Sequence, residues 1–474
     1  MGRRGSTDKQ WARAEFGAAE LGDKRRTARL VGLAQQLSAR PEMSLPQALG
    51  HTGTLKAAYR FFDNADIAHE RVLAPHVLSS IGRMRDQPVV LAVQDTSYLD
   101  YGTHPGTHGM GPVSQEGGHG MIMHSTLAVT PARLPLGVLS LRLWARDAAK
   151  PKRRKTHRPR QSKERESYKW IESARAVALL KEHLPGTRVV SVADRESDVF
   201  EFFTEAQKLG VDVLLRAAYD RNVDGESTKV FATLASAPVL AHKYLALPAT
   251  PKRKARTAKL EIRGCSLVLH SPRNGSARAL PSLALWGIWA CEPQAPAGSE
   301  PLDWKLLTTV PVNSAADALE RLQWYATRWS IEQWHKVLKD GCRIEMRQLQ
   351  SAERLMRLIT VYAVIAWRIF HATLLARLVP QMSCTAILQQ EEWEALYCRI
   401  HNTPIPMATA PPLRQSVRWI ARLGGFLGRS GDGEPGSKTL WRGFQQLIAM
   451  TEMYRIMKPH MPAAPRMQKD VGND

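Results

Sequence analysis

Cysteine is scarce in this chain: Cys265, Cys291, Cys342, Cys384 and Cys398 are scattered over 474 residues, odd in number and without a C-x-x-C pair. That usage excludes a disulfide framework or a structural zinc site as the organising device. No segment approaches the roughly 18 consecutive apolar residues of a membrane span. The opening "MGRRGSTDKQ" has basic residues with no apolar run behind them, unlike a secretory signal. These absences predict a cytoplasmic protein with no membrane partner. Acidic residues are outnumbered, 44 Asp and Glu against 66 Lys and Arg, which leaves a formal charge of +22. A surplus of that size points to a polyanion, nucleic acid first and an anionic membrane surface as the alternative. The length leaves room for two to four domains, and no internal repeat is visible.

Periodicity divides the chain. Residues 8 to about 70 read as a helical unit in which Lys24, Arg25, Arg26 and Arg29 crowd the start of the second helix, either as phosphate contacts or as a solvated charge run. From about residue 86 the period shortens. "QPVVLAVQDTS" is a β-branched run ending at Asp95, and "HSTLAVTPARLPLGVLSLRLWAR" reads as two more strands. The intervening Gly- and His-rich stretch, "YGTHPGTHGMGPVSQEGGHG", suits a mobile loop better than a metal site. A strongly basic segment, residues 150–165, precedes the helix "YKWIESARAVALLKEHL", and "GTRVVSVADRESD" is another apolar strand closing at Asp194. Residues 217–303 alternate in period two with basic turns, a β-rich insertion. "DWKLLTTVPV" is a strand, and the remainder is mainly helical.

Three carboxylates stand out. Asp95 and Asp194 each close a buried-type strand, and Glu332 lies on the amphipathic helix "YATRWSIEQWHKVLKDG", where Tyr325, Arg328, Glu332, Lys336 and Lys339 share one polar stripe. The stripe alone also suits a solvated face with a Glu332–Lys336 pair. On a basic protein, three carboxylates suit hard divalent cations that leave positions open for phosphate oxygens. A pair of such ions activates the attacking oxygen and stabilises the leaving one.

The spacing Tyr-x2-Arg-x3-Glu-x6-Lys, intact at Tyr325, Arg328, Glu332 and Lys339, together with "DRESD" at Asp194–Asp198, resembles the signature of the Tn-five-like DDE transposases in the IS-four family of bacterial insertion sequences. "LGDKRRTARLVGLAQQL", "PLDWKLLTTVPV" and "IARLGGF" extend the likeness over nearly the whole chain. The resemblance implies an α/β fold: an RNase H-like catalytic core with a β-rich insertion, between an N-terminal helical DNA-binding domain and a C-terminal helical region. The domain limits expected are 1–70 for end binding, 71–370 for catalysis with 217–303 inserted, and 371–474 for dimerisation. It implies Asp95, Asp194 and Glu332 as ligands of two Mg²⁺ or Mn²⁺ ions, and Tyr325, Arg328, Lys336, Lys339 and Arg216 on phosphates. Trp304 would receive a flipped base, and Lys24, Arg25, Arg26 and Arg29 would hold the transposon end. The implied activity is cut-and-paste transposition by a synaptic homodimer on double-stranded terminal repeats and target DNA, in the bacterial cytoplasm at the nucleoid. Each end is nicked, closed as a hairpin, reopened and transferred.

Residues 150–165 depart from the family pattern in being so basic; Lys152, Arg153, Arg154 and Lys155 predict a segment that orders on DNA. Rival readings are a structure-selective nuclease and a non-catalytic DNA-binding regulator. The first needs no end-binding module, and the second gives no reason to keep three carboxylates that repel DNA. Inverted repeats flanking the coding sequence would separate them.

Overall fold

The computed structural model describes residues 10–114, 117–147, 167–225, 229–247, 255–273, 275 and 277–460. The chain opens on helices α1 (Gln10–Phe16), α2 (Lys24–Ala39), α3 (Leu45–Leu49), α4 (Thr52–Asp63) and α5 (His69–Met84). Strands β1 (Val89–Asp100), β2 (Gly120–Val129) and β3 (Pro135–Trp144) follow, then α6 (Tyr168–Leu180), β4 (Arg188–Ala193), α7 (Phe200–Lys208), β5 (Asp212–Arg216) and α8 (Val230–Ser236). Next come β6 (Val239–Leu247), β7 (Arg256–Leu269), β8 (Leu283–Cys291), β9 (Asp303–Thr308), α9 (Ala315–Ala326) and α10 (Trp329–Lys336). The chain finishes with α11 (Ala352–Leu378), α12 (Gln390–His401), α13 (Leu413–Leu423) and α14 (Ser437–Met457). Two compact units result: residues 77–333, and residues 1–76 with 334–474. The segment 150–165 lies outside the described residues.

The 77–333 unit is an α/β layer structure with an RNase H-like core. Its sheet, nine-stranded among the described residues, runs β3-β2-β1-β4-β5-β9-β8-β7-β6. The pairs β1–β4 and β4–β5 are parallel, and the other neighbours are antiparallel. The β-rich stretch between 217 and 303 therefore extends the same sheet through β9. Because strand side chains alternate, each strand has two faces to satisfy. Val90, Ala92, Val189, Ala193, Val213, Leu215 and Leu307 pack with Trp170, Ile171 and Ala174 of α6 and with Phe200, Phe202 and Phe203 of α7 in one buried core. Residues of opposite parity, Asp95, Asp194, Arg216 and Trp304, therefore share the other face, on which α9 lies.

In the helical unit, α11 packs against α2, α4, α13 and α14. It is long and apolar enough to cross a membrane by length and composition, yet 78 % of its most apolar window is buried inside the fold. Arginines interrupt its apolar run, so it holds no 18 consecutive apolar residues. One of them, Arg357, is 8 % exposed and donates from Nε to Ile67 O at 2.5 Å and from Nη1 to Phe62 O at 2.9 Å. Just before the helix, buried Arg347 donates to Pro41 O and Met43 O and lies 4.6 Å from the Tyr362 ring centroid.

Three local expectations change. β1 does not stop at Asp95 but continues to Asp100, because antiparallel pairing with β2 persists to Asp100↔Gly120 after parallel pairing with β4 ends at Val93↔Val192. The Gly- and His-rich loop is pinned: Tyr101 N donates to His119 O at 2.7 Å, Gly111 and Gly120 exchange bonds at 3.0 and 2.9 Å, and His104 is 9 % exposed. The long helix carrying the polar stripe is broken between α9 and α10. Thr327 Oγ1 bonds back to Gln323 O at 3.1 Å, and Ser330 N to Thr327 O and Ile331 N to Arg328 O tighten the turn to i→i+3. A π turn, Val337–Gly341, follows α10.

Candidate active site

The sheet register aligns the acidic residues. Val93 pairs with Val192, so Asp95 and Asp194, each two residues on, stand level on adjacent parallel strands, whose spacing is about 4.8 Å. Ala193 pairs with Leu215, which brings Arg216 level with Asp194. Asp95, Asp194 and Arg216 thus form a row across β1, β4 and β5 on one face. Asp194 also opens a short turn, its Oδ1 accepting from Glu196 N at 2.9 Å.

Glu332 approaches this row from α10. Arg328, in the helix break, donates from Nη2 to Glu332 Oε1 at 2.6 Å, with side chains 11 % and 34 % exposed. The two are four residues apart, the ordinary same-face helix spacing, and this pair stands where a Glu332–Lys336 pair is the alternative reading. Burial is the largest influence on Asp95, whose pKa is pushed up to about 6; Arg328 draws it down, while Asp194 and Glu332 push it up further. Burial also raises Asp194. Burial works against the charge of Arg328, but Tyr325, Glu332 and Asp95 outweigh it and its pKa rises. Asp95 feels both other carboxylates, and Arg328 acts on Asp95 and Asp194 alike.

Tyr325, 6 % exposed at the end of α9, meets half-buried Trp304 edge-on, with ring centroids 6.0 Å apart at 65°. Arg216 donates from Nη2 to Asp303 O at 2.7 Å. Desolvation, then Arg195, lowers its pKa. Lys336 and Lys339 belong to the helical unit, Lys336 exposed and Lys339 in the π turn, 3.0 Å from Glu345. In the same unit, Asp23 caps α2 by accepting from Arg25 N at 2.7 Å. Lys24, Arg25 and Arg29 are exposed, whereas Arg26 is tied to Leu21 O and Asp66, both at 3.0 Å.

Residues that sequence reasoning missed surround the row. Lys169, 5 % exposed on α6, stands 3.3 Å from Glu196 and lowers the cost of charge on Asp194. A charged residue between Tyr168 and Trp170 on a buried helix face was the available signal. Trp329 follows Arg328 with its indole 54 % exposed and the guanidinium 5.4 Å from its centroid. Beneath Asp95, on the opposite face, Gln94 Nε2 donates to Ser191 Oγ at 2.6 Å, a buried tie between β1 and β4.

Three carboxylates are the oxygen donor set that hard divalent cations take, and Asp95, raised chiefly by burial, feels both Asp194 and Glu332. The donors fit in kind. Among the described residues no three His, Cys, Asp or Glu side chains are gathered closely enough to grip an ion as they stand. Glu332 instead accepts from Arg328.

The family model described as Transposase DNA-binding matches residues 8–67, and the one described as Transposase Tn5 dimerisation domain matches residues 364–461. DNA binding is thereby assigned to the α1–α4 region and self-association to the C-terminal helices.

Proposed function

We propose, on the support of the two family matches, that the chain is a Tn5-like transposase and that Asp95, Asp194 and Glu332 hold two divalent cations, Mg²⁺ or Mn²⁺, for cleavage and transfer of DNA strands at transposon ends. The observation that carries this reading is the row of Asp95 and Asp194 on adjacent parallel strands, with the Arg328–Glu332 pair beside it. When bound, the ions activate the attacking oxygen and stabilise the leaving one of an in-line displacement. Glu332 would hold an ion in place of its bond to Arg328, and the guanidinium so freed would bind a phosphate, where two N–H groups match two oxygens. Arg216 and Tyr325 flank the same phosphate path, and Lys336 and Lys339 neutralise further phosphates of the bound DNA. Lys24, Arg25 and Arg29 bind the terminal repeat, Arg26 serving chiefly to brace their helix. Two copies pair the ends in a synaptic dimer, acting on chromosomal DNA in the cytoplasm.

Hairpin closure of the nicked end needs a base taken out of the stack. Trp304, half-buried against Tyr325, is placed to receive it; the stack returns roughly 1–3 kcal/mol of the unstacking cost. Asp95→Ala, Asp194→Ala and Glu332→Ala should each lower Mg²⁺-dependent cleavage at least about 100-fold while DNA binding in a gel shift stays near wild type. Cleavage near the wild-type rate in any of the three sinks the triad. Trp304→Ala should spare the first nick and slow hairpin formation by about tenfold in a single-turnover assay. Equal slowing of both steps with a lower melting temperature marks Trp304 as core.

A further inference from the structure

β5 ends at Arg216, and Ala217 N still donates to Lys305 O at 2.8 Å, after which the chain leaves the sheet. Its freed N–H groups need partners, and one buried carboxylate supplies them. Asp198, 1 % exposed, accepts from Ala218 N at 2.7 Å and Tyr219 N at 3.0 Å through Oδ2. Its Oδ1 takes Arg221 Nη2 at 2.7 Å and Nε at 3.2 Å, and Arg221 Nη2 also reaches Asp198 O at 2.6 Å. The loop is clamped at both ends by one residue. Between the clamps Tyr219 stands 61 % exposed, with the Arg221 guanidinium 5.0 Å from its ring centroid.

A tyrosine on a loop fixed by a buried ion pair, yet left open to solvent, has lost freedom without burying its ring. That is the economy of a binding group, because preorganisation lowers the entropy lost on association. Its place is informative too. Arg216 stands in the row with Asp95 and Asp194, and Tyr219 is three residues on, within about 10 Å of Arg216 along the chain. We propose that Tyr219 is a stacking platform for an unpaired nucleobase of the DNA end, with Asp198 and Arg221 as its positioning residues. Stacking on an aromatic face is indifferent to base identity, so the platform grips a splayed end of any sequence. The inference rests on the reading of the adjacent face as a DNA-cleaving site.

The test uses the full chain without divalent cation, titrated with a short duplex bearing one unpaired terminal 2-aminopurine and with its fully paired counterpart. The wild type and Tyr219→Trp should quench the 2-aminopurine and bind the splayed end more tightly. Tyr219→Ala should lose most of the quenching and bind the splayed end about tenfold more weakly, with unchanged affinity for the paired duplex and an unchanged melting temperature. Asp198→Asn should match the alanine variant. If it fails to fold, the exposed Tyr219 variants decide alone. Equal quenching by the wild type and Tyr219→Ala overturns the platform, as does an equal loss of affinity for both duplexes. Retained cleavage in Asp95→Asn overturns the proposed function instead, and the quenching assay, which needs no cleavage, remains readable.

Discussion

Both units bury charge, and Arg357 and Asp95 show two ways of doing it. In the helical unit buried Arg357 donates to two backbone carbonyls, and buried Arg347 donates to carbonyls and lies against the Tyr362 ring. In the sheet unit Asp95, near Asp194 and Glu332, is pushed up to about 6 mainly by burial, whereas Asp198 is held by Arg221 and two backbone N–H groups. An arginine fans several donors from one plane and can satisfy distant segments at once, so it joins the N-terminal helices to α11. A carboxylate held against its own titration stores unfavourable energy that a bound cation or phosphate chemistry can use.

The contrast can be broken most sharply at Arg357. Arg357→Ala leaves Ile67 O and Phe62 O without their donor and should cost about 2–5 kcal/mol in denaturant unfolding. A loss below about 1 kcal/mol would show the arginine to be dispensable packing. Asp95→Asn should do the reverse and raise stability by roughly 1–3 kcal/mol in metal-free buffer above pH 6. The sign follows from a folded pKa of about 6 above an unfolded one of about 3.9. The folded wild type binds more protons between those values, so its stability deficit is full above pH 6, shrinks as pH falls and vanishes below about 4. Adding Mg²⁺ at pH 8 should stabilise the wild type and leave the variant unmoved. An Asp95→Asn protein that melts lower than wild type at pH 8 without metal would remove the functional half of the contrast.

The smallest effects concern surface charge in the helical unit. Neutralising Arg25 and Arg29 should lower the slope of log binding constant against log salt by about 0.9 for each DNA phosphate that the variant no longer neutralises. Arg26→Ala, which breaks the ties to Leu21 O and Asp66, should instead lower stability by about 1 kcal/mol and change the slope little. Equal slope changes for Arg26 and Arg25 would erase that distinction.

Strand identity, the two aspartates and the helical ends were legible in the sequence because each rests on local periodicity and chain-neighbour chemistry. Period two put Asp95 and Asp194 on the same face as their apolar neighbours of like parity, and the basic start of α2 was plain. The sequence also carried the Tyr325-Arg328-Glu332-Lys339 spacing, but as one continuous helix. Tertiary structure decided the rest. The Thr327 turn breaks the helix that carries the stripe, and Glu332 pairs with Arg328 rather than Lys336. The level row of Asp95, Asp194 and Arg216 comes from register between strands separated by up to about a hundred residues of chain, a relation no local pattern encodes. Lys169 beside Glu196 and the Asp198–Arg221 clamp depend likewise on the packing of α6 and of the turn after β4 against the sheet, where burial strengthens the Asp198–Arg221 contact.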